Sequence, residues 1–148
     1  MLMRVAGATP VHPSRPVAAV SLNPRAVPPA PAEMREAVTF IREMGGEALL
    51  ARVRDLFLQS AEQRLRAAHI ALAAGDRVAV RKHAHSLCGG AAQWGAVAAH
   101  AAAAVLEGCA EAADPGTLRR LLDELDLGLA DARVQLFAVD DEPSEARR

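Results

Sequence analysis

Aromatic side chains make up only 3% of this 148-residue chain, tyrosine is absent, and there are just two cysteines and a single lysine, Lys82. The apolar half of the composition (51%) is mostly alanine, valine and leucine, so the balance favours closely packed helices over a sheet. Two cysteines do not make a disulfide framework in a chain of this size, and reduced thiols at Cys88 and Cys109 are expected. No apolar run approaches the roughly 18 residues needed to span a bilayer. The N-terminus also lacks the uninterrupted hydrophobic segment of a signal peptide, so a cytoplasmic location is expected. A net charge of −1 gives no electrostatic reason to expect nucleic acid or an anionic membrane as partner. There is no glycine-rich nucleotide loop and no nucleophile beside a general base in recognisable spacing, so autonomous enzymatic activity is not expected.

The chain is long enough for one domain with a proper core. Residues 1–32 hold seven of the nine prolines, three arginines and no acidic residue, which reads as a disordered tail. A domain is expected over residues 33–139, followed by a charged flexible tail at 140–148. Within the domain, a short helix from Ala32 to Met44 should be ended by Gly45-Gly46 and lie across one end of the rest. A long helix from Glu47 to Ala73 follows, with Leu50, Val53, Phe57, Ala61, Leu65, Ala68 and Leu72 on one side. Gly75 closes it and Asp76 caps the next, which runs to Trp94. After Gly95, Val97 to Ala113 is an alanine-rich helix, weakened at Gly108. Asp114-Pro115-Gly116 starts a last helix reaching Phe137, with Leu118, Leu121, Leu122, Leu125, Leu129, Ala132 and Leu136 facing inward. Short turns between long helices make antiparallel neighbours, so the fold class is all-α: an up-down four-helix bundle with one additional short N-terminal helix.

The third of these helices carries the chemistry. Val80, Ala84, Leu87, Ala91 and Trp94 recur every three or four positions and form its apolar stripe. His85 lies about 140° from the centre of that stripe and should face solvent, whereas His83 lies only about 60° away and should be partly buried and hydrogen-bonded. Arg81 and Lys82 precede His85 by one turn, and Cys88 and Gly89 follow it by one. His83 and His85 point away from each other on a helix, so they cannot share a metal ion, and no metal site is expected. His12, His69 and His100 have no supporting pattern and read as incidental.

The run Ala84-His85-Ser86-Leu87-x-Gly89-x-Ala91-x-x-x-Gly95-Ala96 resembles the signature of histidine-containing phosphotransfer (HPt) domains, which relay phosphoryl groups between receiver domains in multistep two-component signalling. Gly45-Gly46-Glu47, Phe57, the Ala74-Gly75-Asp76 turn and Leu106-Glu107 are similar to the family pattern as well, and the resemblance covers residues 36–139. The chain departs from it in two places. Cys88 stands where the family usually has lysine, and Gly90 where it often has serine.

The resemblance implies that His85 accepts a phosphoryl group at Nε2 from a receiver aspartyl phosphate and passes it to another receiver. The chain itself would need no cofactor, because Mg²⁺ is expected on the partner receiver domain. Receiver domains of response regulators and a hybrid sensor histidine kinase are the implied partners, with this chain a monomer. Gly89 would leave room for the phosphoryl group, and Arg81 and Lys82 lie within reach of its oxygens. Ser86, Cys88, Ala92 and Gln93 complete the expected docking face. The alternative is a receiver- or kinase-binding module of the same shape whose transfer is impaired because Cys88 replaces the lysine.

Overall fold

The computed structural model describes residues 25–142. It is all helical, with four helices in chain order: α1 (Ala32–Ala73), α2 (Arg77–Gln93), α3 (Val97–Cys109) and α4 (Pro115–Asp140). Each packs on its sequence neighbour, and α4 closes the ring by packing on α1. That is the up-down bundle the short connections require.

The expected extra helix is the first arm of α1. Gly46 leaves helical geometry at φ 79, ψ −173, so residues 32–45 and 47–73 form two arms meeting at an elbow. The first arm crosses the end of the bundle, where the backbone of Glu33 and Met34 lies so close to Gly95 that a Cβ there would sit 2.3 Å from it. Gly95 also has φ +66, a conformation only glycine adopts at no cost. One residue thus turns the chain from α2 into α3 and seats the first arm.

Helix boundaries follow from caps. The Asp76 side chain accepts from the Ala79 amide at 3.1 Å, and Asp114 accepts from the Thr117 amide at 3.1 Å and its hydroxyl at 2.6 Å, with Pro115 in the first turn. The third helix is shorter than expected. It ends at Cys109 rather than Ala113, because the Cys109 carbonyl accepts from both Ala112 and Ala113 amides while the Arg77 guanidinium takes the carbonyls of Ala110 and Ala113.

The core is aliphatic and alanine-rich. The stripe Val80, Ala84, Leu87, Ala91 and Trp94 is buried as expected, and so are Leu118, Leu122, Leu125, Leu129, Ala132 and Leu136 of α4. On α1 the buried line is Leu50, Arg54, Leu58, Ala61, Leu65 and Ala68; Val53, Phe57 and Leu72 are only partly buried. The expected stripe is therefore turned, because the long arm packs on both α2 and α4 and its most buried line falls between them.

Both predicted tails need correcting where they are described. Residues 25–31 run along α4, with Arg25 donating to Asp131 at 2.5 Å and Gln135 donating to the Pro28 carbonyl at 3.0 Å. At the other end α4 continues through Asp140, which accepts from Arg42 and Arg54, each at 2.8 Å. Two guanidiniums hold that residue in place, so the charged tail does not begin there. The remainder of the expected tails, residues 1–24 and 143–148, lies outside the described residues, as does His12.

Candidate functional site

His85 stands out because the residues around it on α2 turn inward. With Ala84 and Leu87 buried, helix geometry puts His85 on the outer face, and its side chain is 74% exposed. Its Nδ1 lies 2.8 Å from Glu107 Oε2 on α3. A carboxylate only accepts, so this contact keeps the ring proton on Nδ1 and leaves the lone pair on Nε2. The result is an exposed imidazole in a fixed tautomer whose outer nitrogen is a nucleophile.

The flanking residues divide into two sides. Towards α3, Arg81 donates to Glu111 at 2.5 Å, so its charge is already matched. Cys88 also points that way: its Sγ is 3.3 Å from His100 Nδ1, and the same Nδ1 is 3.2 Å from the Cys88 carbonyl. Burial, and then the nearby Glu107 charge, push the Cys88 thiol up, so it stays protonated and neutral. On the outer face, Lys82 is exposed and forms no ion pair or side-chain hydrogen bond among the described residues. Ser86 is half-buried, and it shares with exposed Gln93 a groove of about 340 Å³ between α1 and α2. Gly89 and Ala92 are exposed between these sides, and a Cβ on Gly89 would meet nothing within 4 Å. Space in front of the imidazole is open.

Gly90 has a packing role. A Cβ there would lie 3.2 Å from the ring of Phe57, which stacks on Trp94 with centroids 5.7 Å apart. The missing side chain lets an aromatic pair floor the groove beside His85.

The family model of the Hpt domain matches residues 52–135, more than half of the chain. The chain belongs to the Hpt domain family. Hpt domains carry phosphoryl groups on histidine in phosphorelays and interact with receiver domains. No curated protein and no solved structure matches the chain. The matched span opens in the long arm of α1 and closes within α4, so the elbow and first arm lie outside it. In this Hpt domain no helix of the described residues is long and apolar enough to cross a membrane. Among those residues no three His, Cys, Asp or Glu side chains gather where they could hold a metal ion.

Sequence reasoning singled out His85 but gave Glu107 no role beyond the Leu106-Glu107 pair. Nothing in linear spacing links position 107 to position 85; only the pairing of α2 with α3 does. His100, read as incidental, ties α3 to the Cys88 backbone. His83 is half-buried as expected, but its buried Nδ1 has no hydrogen-bond partner among the described residues.

Proposed function

We propose that this Hpt domain is a phosphorelay intermediate that accepts a phosphoryl group at His85 Nε2 from a receiver aspartyl phosphate and hands it to another receiver aspartate. The observation that carries this reading is the exposed ring held by Glu107 through Nδ1. In the forward step the Nε2 lone pair forms the N–P bond as the aspartyl O–P bond breaks, and the carboxylate leaves. Positive charge develops on the ring as Nε2 gives up its lone pair, and the Glu107 carboxylate stabilises it through the Nδ1 proton. In the return step the N–P bond breaks and the ring departs as neutral imidazole, its Nδ1 proton retained throughout. No further reactant is needed, and the acceptor aspartate and Mg²⁺ belong to the receiver.

The docking face is the surface joining His85 to the elbow of α1. Phe40, Met44 and Leu56 are exposed by 62%, 67% and 56%, an unusual apolar display beside the Ser86–Gln93 edge of α2. A receiver seated there covers apolar surface while its aspartate reaches His85. The donor is a hybrid sensor kinase's receiver, and the carrier works as a cytoplasmic monomer with no catalytic activity of its own. Cys88 supports a second reading, a docking module with impaired transfer, because a neutral thiol replaces a cation one turn from the histidine.

Incubation with a phosphorylated receiver separates the two. The carrier takes up acid-labile, alkali-stable label, and His85→Ala abolishes it while still binding the receiver. Binding without label in the wild type leaves the docking module, and label surviving in His85→Ala rejects His85 altogether.

A further inference from the structure

We infer that Arg64, on the neighbouring helix α1, holds the phosphoryl group of phosphorylated His85 and takes over the electrostatic role that Cys88 leaves vacant. This rests on the carrier reading above and adds a residue to that site. A phosphoryl group on Nε2 carries close to two negative charges at neutral pH. On the α3 side it meets Glu107, which already holds Nδ1, and Glu111, which already matches Arg81. The Cys88 thiol on that side is neutral. Like charges about 4 Å apart repel by about 1 kcal/mol even at the dielectric of bulk water, so the phosphoryl oxygens turn the other way.

On the α1 side stand the Ser86 hydroxyl and Arg64, and Lys82 is exposed on the outer face; neither cation forms an ion pair among the described residues. Arg64 and Ser86 line opposite walls of the same groove. The register of the two antiparallel helices brings Arg64 level with the histidine. Gly90 faces Phe57, so seven residues onward along α1 corresponds to seven residues back along α2. That places Arg64 opposite position 83, about 3 Å along the axis from His85, so its guanidinium reaches past Ser86 to the outer face where His85 stands. Lys82 is a point charge on the histidine's own helix; the planar guanidinium opposite can give two parallel hydrogen bonds to phosphoryl oxygens.

The test uses the full chain and potassium phosphoramidate, a small donor that phosphorylates imidazole directly. The N–P bond forms at Nε2 as the donor's own P–N bond breaks and ammonia leaves, so no receiver is involved. The phosphoryl titration is then followed by ³¹P NMR in the wild type, Arg64→Gln, Arg64→Lys and the control Arg52→Gln, an exposed cation elsewhere on α1. In Arg64→Gln the titration midpoint rises by about 0.3–0.7 pH units, since the dianion loses a cation; in Arg64→Lys and Arg52→Gln it stays within about 0.2. An unmoved midpoint in Arg64→Gln on a labelled His85, or an equal rise in Arg64→Lys, overturns the role of Arg64 alone. Label that avoids His85 overturns the carrier reading and Arg64 with it.

Discussion

In the proposed relay, the contact between His85 Nδ1 and Glu107 sets which nitrogen reacts and supplies charge where charge develops. These two contributions can be separated. In Glu107→Gln the amide oxygen still accepts the Nδ1 proton, so the tautomer is kept while the charge is lost. A hydrogen bond to a charged group exceeds a neutral one by roughly 1 kcal/mol, so transfer falls about fivefold. In Glu107→Ala both contributions go and the fall is at least tenfold. Rapid-quench measurement of phosphoryl transfer from a phosphorylated receiver checks this, and equal rates in the Gln and Ala variants would show that only the tautomer matters. His85 was legible in the sequence because its own helix fixes its direction. Glu107 was not, because its part depends on which turn of α3 lies alongside.

At the level of the helices, the elbow and the turns decide whether the proposed docking face exists. Gly95 and Gly75 both have positive φ, 66 and 76, yet only Gly95 has backbone packed on it. Gly75→Ala meets nothing within 4 Å and therefore costs only the strain of the left-handed conformation, about 1 kcal/mol. Gly95→Ala adds a collision with the Glu33–Met34 backbone, lifts the first arm and costs at least about 3 kcal/mol. Urea unfolding of the two variants gives the comparison, and equal losses would mean that the first arm is not seated there. The sequence showed glycine turns at both places. It did not show that one of them is also a floor for a distant segment.

Across the whole molecule, Asp140 binds the two ends of the described chain together. Arg42 reaches it from the first arm and Arg54 from the long arm, and the Arg54 guanidinium also lies 4.1 Å above the Phe137 ring. Burial pushes the Asp140 carboxyl up, but the hydrogen bonds from Arg54 and Arg42 outweigh it and hold it below the ordinary carboxylate range. Asp114 is lowered as well, chiefly by its bonds from Thr117. A carboxyl depressed in the folded state stabilises above its unfolded value, about 3.9, and that stability is lost as the pH falls through the folded value. The contribution of these two carboxyls to the unfolding free energy is therefore constant above about pH 5 and falls below about pH 4. Asp140→Asn is less stable by about 1 kcal/mol at pH 7, and the gap to the wild type closes as the pH approaches about 2. A gap that persists at low pH would assign the loss to packing. By itself the sequence determined the helical class, the turns and the outward direction of His85, because each depends on residues within a few turns of one another. The tertiary structure decided what stands beside that histidine, where the buried line of α1 falls and what Asp140 holds. Those depend on which faces of separate helices meet, and helix periodicity leaves that choice to packing.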